Sequence, residues 1–290
     1  MKTLTILLAA AGILAFCLTP AVAETHQTAA RDALQKGWEL HLRFNAEDNA
    51  AAIRHLEKAV GLDPEYGRAY AALSLAYYRS ASYDWGGSGG MSFRKTKQLA
   101  HSYLDKAKKY PTALLHVVSS MHHLFYGQQQ EALNEAGRAI SLDPNEPEAY
   151  IVMGRVMITK GKPDEGLKFI EAAMRLNPNY PSHYVLARGM AYFAKADFEQ
   201  AASEFGARLE QDPQAIELAP WLASAYALLG RREEARAALQ LWKPELELSN
   251  IPNSYYARFP RSYAVRGPLL VGMHIAPYLW RSRCPAWWQH

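Results

Sequence analysis

The chain has 290 residues, 49% of them hydrophobic and 21% charged, with a formal net charge of +4. That balance excludes a chain that is mainly disordered and leaves room for one long array or two small domains. Two cysteines are too few for a scaffold built on disulfides.

The N-terminus reads differently from the rest. Lys2 precedes an apolar run from Leu4 to Leu18, then Thr19-Pro20 and the small-residue box Ala21-Val22-Ala23. This is the pattern of a secretory leader cleaved after Ala23, and no twin arginine marks export in the folded state. The expectation for residues 1–23 is therefore a Sec-type signal, giving a periplasmic or secreted protein in which Cys284 has no internal disulfide partner. An uncleaved anchor is the alternative, and the short apolar core and the cleavage box argue against it.

Four helix ends are closed by proline: Leu62-Asp63-Pro64, Leu142-Asp143-Pro144, Leu176-Asn177-Pro178 and Gln211-Asp212-Pro213. The last three prolines follow one another at steps of 34 and 35 residues. Proline stops a helix because it lacks the amide donor and turns the preceding residue away from helical geometry. Between these stops, first helices carry Tyr70-x2-Leu73-Ser74-x2-Tyr77, Tyr150-x2-Met153-Gly154 and Leu222-Ala223-x2-Tyr226, while Tyr184, Gly189 and Tyr192 fit with one inserted residue. Second helices carry Ala52-x3-Leu56, Ala100-x3-Leu104, Ala132-x3-Ala136, Gly166-x3-Ile170, Ala201-x3-Phe205 and Ala235-x3-Leu239. Gly127, Gly161 and Gly230 each stand five residues before the small residue of a second helix, where a chain must end one helix and reverse.

On these residues the chain resembles the tetratricopeptide repeat family from about residue 29 to 244. More narrowly, it is similar to the repeat regions of bacterial proteins related to adenylate and guanylate cyclases, although no segment is left over for a cyclase domain. The resemblance implies an all-α, right-handed solenoid of about six helix-turn-helix repeats. It further implies a non-enzymatic scaffold that binds a protein or peptide in its concave groove and needs no cofactor. Hairpin three departs most, with His116, Ser119, Ser120 and His123 at the pattern positions, and is expected to be the loosest. Hairpin two contains an insertion at about residues 80–95 that includes Trp85 and a glycine-rich run. It lacks a P-loop ending, so a surface insertion is expected rather than an anion site.

By repeat position, the groove is expected to include Leu75, Tyr78 and Arg79 from hairpin two and Val117, Met121 and Phe125 from hairpin three. Hairpin four adds Ile151 and Arg155, and hairpin five adds Met190 and Phe193. This lining suits an extended or helical peptide with apolar anchors. The lysine and asparagine clamp of chaperone-docking family members is absent. No nucleophile elbow, metalloprotease helix or nucleotide loop occurs, so an enzyme is not expected. His116, His122 and His123 raise metal binding as a rival, but no cysteine and few carboxylates join them.

Residues 245–290 mix Arg258, Arg261, Arg266, Arg281 and Arg283 with aromatics such as Trp280, Trp287 and Trp288. A C-terminal cap over the last hairpin is the expected role, with peripheral membrane contact as the alternative. Export argues against nucleic acid as a partner. The rival functions are a membrane-associated structural subunit docking through this tail and a small-ligand or metal sensor.

Overall fold

The computed structural model describes residues 20–82 and 91–242. Within them the chain forms twelve α-helices, one short 3-10 turn and no strand. They are α1 (Pro20–Leu42), α2 (Ala46–Leu62), α3 (Gly67–Ser82), α4 (Phe93–Ala107), α5 (Ala113–Phe125) and α6 (Gln129–Leu142). There follow α7 (Pro147–Thr159), α8 (Pro163–Leu176), α9 (Ser182–Ala194), α10 (Phe198–Gln211), α11 (Ala219–Leu228) and α12 (Arg232–Trp242), with the 3-10 turn Ile216–Leu218 leading into α11. The helices pack as six successive hairpins, α1 on α2 through α11 on α12. The first helix of one hairpin also touches the first helix of the next, α3 on α5, α5 on α7 and α7 on α9. An all-helical solenoid results. The expected leader core, the glycine-rich run with Trp85 and the C-terminal cap lie outside the described residues.

Two kinds of helix make this architecture. Each second helix buries one stripe, such as Asn49, Ala52, Leu56 and Ala59 in α2 or Ala201, Ala202, Phe205 and Leu209 in α10, and gives its other face to water. That is the stripe of an amphipathic helix on one core. First helices are covered on several sides: α3 buries Ala71, Ala72, Leu73, Ser74, Leu75, Ala76 and Tyr77 in unbroken succession.

The turns inside the hairpins share one geometry. Gly127, Gly161 and Gly230 have φ of 74°, 77° and 77°, as the reversal requires, and Phe44 and Ala196 take the same place at 58° and 57°. In four of these turns the next amide reaches back five residues, from Gln128 to His123 O, Lys162 to Met157 O, Asp197 to Tyr192 O and Arg231 to Tyr226 O, at 2.8–2.9 Å. This is the Schellman closure, which satisfies carbonyls left open at a helix end.

Between hairpins the aspartate before proline has its own task. Asp63, Asp143 and Asp212 accept from the amides of Glu65, Asn145 and Gln214 at 3.0, 3.0 and 3.2 Å. The carboxylate holds the turn while the proline ends the helix.

Candidate functional site

Apart from Arg79, which is buried in a polar cluster, the groove residues expected from the repeat pattern divide into two groups. Leu75, Val117, Ile151, Met190 and Phe193 are buried and belong to the core. Phe193 shows the reason most clearly: at 1% exposure it packs on Phe198, Phe205 and Trp221, with ring centroids 5.5, 6.3 and 5.5 Å away. It fills the space between hairpins five and six and presents no area to a partner, which corrects its expected place in the lining. The same reason moves the four other buried residues into the packing. Tyr78, Met121, Phe125 and Arg155 keep part of their surface. Tyr78 and Phe125 meet edge to face at 5.8 Å, and Lys97 Nζ sits 5.6 Å from the Phe125 ring and 5.0 Å from Tyr126. These aromatics and the lysine form one patch across hairpins two and three.

The three histidines weighed as metal ligands go separate ways. His116 Nδ1 pairs with Glu135 at 2.7 Å, His122 Nε2 lies 2.8 Å from His101 Nε2, and His123 Nδ1 meets Gln128 Oε1 at 2.7 Å. Among the described residues no three histidine, cysteine or acidic side chains are grouped to hold a metal. Burial, then the neighbouring His101, His123, Lys97 and Lys108, hold His122 down to about 4.

Arg79 is 7% exposed and stands in a polar cluster that the sequence pattern did not assemble. Its guanidinium donates to His41 O at 2.5 Å and stacks 4.2 Å from the ring centroid of Phe44, the residue at the first hairpin's left-handed turn. His41 Nδ1 meets Asn49 Oδ1 at 3.1 Å, and Asn49 donates to Ala76 O at 3.1 Å and Ser80 Oγ at 2.8 Å, tying hairpin one to hairpin two. At the starts of later first helices, His183 Nε2 is 3.1 Å from both carboxylate oxygens of Glu148, and Ser182 Oγ donates to Glu217 Oε1.

The electrostatics join these groups into one field. Burial pushes Glu217 up to about 7, against the opposing pull of the Ser182 hydroxyl and the Arg79 charge. Burial also acts to raise Glu148, but His183, Arg79 and Tyr184 outweigh it and hold the carboxyl below its ordinary range. Burial and then Arg79 hold His41 well below its ordinary value. One guanidinium from hairpin two thus acts on hairpins one, four and six.

Four buried atoms in the cluster have no hydrogen-bond partner among the described residues: His41 Nε2, His183 Nδ1, Tyr184 Oη and Glu217 Oε2. Glu148, His183 and Glu217 follow one another at steps of 35 and 34 residues, so they hold equivalent places in hairpins four, five and six. That spacing was the signal available in the sequence.

A solenoid of helical hairpins is the architecture of a repeat protein. The tetratricopeptide repeat model matches residues 147–180, which contain the hairpin of α7 and α8. The TPR repeat-containing protein YpiA of Bacillus subtilis is 26% identical over 198 residues, covering 65% of this chain and 41% of the relative. The chain therefore spans less than half of that curated relative. Among solved structures, an IFIT1 mutant bound to m7Gppp-AAAA is similar with a TM-score of 0.58 at 15% identity, covering 81% of this chain and 56% of that one. The Cut9–Hcn1 hetero-tetramer of the APC/C gives 0.53 at 15% identity, covering 79% and 47%. The chain thus carries a stretch that matches the tetratricopeptide repeat, residues 147–180, within an all-helical solenoid of hairpins.

Proposed function

We propose that the protein is a non-catalytic adaptor that holds a protein or peptide segment against its concave face, and that it acts outside the cytoplasm after export on the leader at residues 1–23. The family supports the general role, because stacked hairpins create extended surfaces rather than reaction centres. The observation that carries the reading is the set of polar side chains His41, Arg79, Glu148, Ser182, Tyr184, His183 and Glu217, buried yet with four polar atoms unpaired among the described residues. A charged lining of this kind is expensive as mere packing, since buried polar groups destabilise unless satisfied. Beside it, the half-buried Tyr78 and Phe125 offer aromatic surface of the sort that anchors partner side chains.

The test is affinity capture with crosslinking from an envelope extract, comparing the unaltered protein with a variant carrying Tyr78→Ala, Phe125→Ala and Glu217→Gln. Circular dichroism would first establish that both fold. A partner held by the first and lost by the second places binding on the concave face. Equal capture by both removes that placement. Export has its own measurement: N-terminal sequencing of the mature protein is expected to begin at Glu24, and a retained Met1 would end that part of the reading.

A further inference from the structure

We propose that the outer face of α4, from Phe93 through Lys109, is a docking surface for an anionic phospholipid membrane. This goes beyond the concave-face reading, because α4 is the second helix of its hairpin and the adaptor face belongs to the first helices. First helices touch one another along the array, α3 on α5, α5 on α7 and α7 on α9, and the second helices lie on the side away from that row.

Charge sets α4 apart from its equivalents. Residues 93–109 carry Arg94, Lys95, Lys97, Lys106, Lys108 and Lys109 against one acid, Asp105, a net of +5 where the whole chain has +4. None of the other five second helices has a net positive charge. Each of those five places an acid in its first turn, from Glu47 and Asp48 in α2 to Glu233 and Glu234 in α12, where it meets the positive end of the helix dipole. The first turn of α4 has no acid, and Arg94 and Lys95 stand there instead. The helix thus forgoes a stabilising contact that its equivalents all make and sets like charge against its own dipole. Local rules of this kind are broken where a surface has a second task.

Little within the chain offsets the charge. All six cations except the half-buried Lys97 are exposed, and among the described residues only Lys108 has an ion pair, with Asp105 at 2.8 Å. Their field is felt nearby: burial and then Lys97 hold His101 below its ordinary value.

Two features select a lipid surface. The cations are strung along about 20 Å of chain, at 1.5 Å per helical residue, rather than gathered round one point. The N-terminal end of the face is also apolar. Phe93 is 53% exposed and stands one helical turn before Lys97, whose Nζ lies 5.0 Å from the ring centroid of Tyr126, itself 45% exposed. Exposed aromatics beside lysine and arginine suit a membrane interface, where rings enter the headgroup boundary and cationic heads meet lipid phosphates. On the same face an open hollow of about 530 Å³, lined by Gln98, His101, Ser102, Asp105, Lys106 and Lys109, has room for a headgroup.

The test is co-sedimentation of the mature protein with vesicles of phosphatidylcholine alone or of equal parts phosphatidylcholine and phosphatidylglycerol. The protein should pellet with the mixed vesicles, stay in solution with the neutral ones, and be released by high salt. Arg94→Gln, Lys95→Gln, Lys106→Gln and Lys109→Gln together should weaken binding about a hundredfold or more, and Phe93→Ser alone about tenfold. A control carrying Arg54→Gln, Lys58→Gln, Arg175→Gln and Arg232→Gln, four exposed cations on other second helices, should keep most of its binding. No binding to either vesicle, equal binding to both, or equal losses in the two four-site variants overturns the proposal. So does binding that survives in the α4 variant, which would give the contact to the cations of residues 245–290. If polyglutamate or duplex DNA is held through the four α4 residues while vesicles are not, the face takes an acidic polymer and the lipid is overturned. Two of the removed charges oppose the helix dipole, so the α4 variant should melt no lower than the unaltered protein. Salt release and the neutral-vesicle comparison need no altered protein, so they stand even if that variant folds poorly. The adaptor reading is tested separately, since its capture variant alters none of these residues.

Discussion

Hairpins two and three close with a serine where hairpins four and five close with a glycine. At Gly154 an added Cβ would come within 2.7 Å of Ile170 Cγ1, and at Gly189 within 2.1 Å of Phe205 Cζ. The large side chain of the second helix occupies the space that a side chain on the first would need. In the earlier pair, Ser74 Oγ donates to Ala100 O at 2.8 Å and Ser120 Oγ to Ala132 O at 2.7 Å. There the helices meet through a side-chain hydrogen bond to a backbone carbonyl, and the second helix of hairpin three carries only Ala136 where hairpin five carries Phe205. One backbone spacing is thus held by shape in hairpins four and five and by polarity in hairpins two and three. Hairpin three departs furthest from the repeat pattern and still closes, because the position demands a small residue and serine also supplies a bond.

The comparison breaks most readily at the glycines. Gly189→Ala should destabilise by about 1–3 kcal/mol, since the methyl meets a fully buried ring that cannot swing into solvent. Thermal unfolding would measure it, and pairing the change with Phe205→Leu should restore part of the loss if the ring is the cause.

Next come the pH slopes, which run in opposite directions in the two halves. His122 in hairpin three is held down to about 4 from 6.5, so the unfolded chain takes the proton first and this contribution to stability is lost as pH falls from about 6.5 toward 4. Glu217 is raised to about 7 from 4.5, so stability falls as pH rises from about 4.5 to 7. Melting curves across pH should show His122→Gln flattening the acid limb, and Glu217→Gln gaining on the unaltered protein above pH 7. Parallel profiles for all three would mean that neither group is buried as described.

Smaller effects test the polar closure and the turns. Ser120→Ala should cost about 1 kcal/mol by chemical denaturation, through the bond it removes and the carbonyl it leaves. Ala196→Gly should stabilise by about 0.5–1 kcal/mol, because a side chain at φ 57° is strained where glycine is not. A loss of stability on Ala196→Gly would show that the methyl contributes packing worth more than the strain.

The fold was legible because its signals are local. Small residues at matched places, glycines at the reversals and prolines after the second helices each act within one turn of their own position, and the hairpins follow. The Asp63, Asp143 and Asp212 carboxylates were visible beside their prolines, but their bond to the amide two residues on became clear only from the turn itself. The candidate site was less legible for a physical reason. Arg79 of hairpin two bears electrostatically on Glu148 and Glu217 of hairpins four and six, and no periodic pattern within one hairpin encodes a relation across the array. Phe193 illustrates the other difficulty: near the end of a first helix, the small step from groove to inter-hairpin space separates a binding residue from a packing one.

Phe44 has a wider consequence. It occupies a place that three other hairpins give to glycine, at φ 58°, and it is 4% exposed. A left-handed phenylalanine costs about 1–2 kcal/mol that glycine would avoid, yet glycine would leave the Arg79 guanidinium without the ring beneath it. The first hairpin is therefore locally strained, and the ring that carries the strain is the one on which the guanidinium of hairpin two rests. Relaxing that one turn would give a sturdier first hairpin and a looser seam with the second.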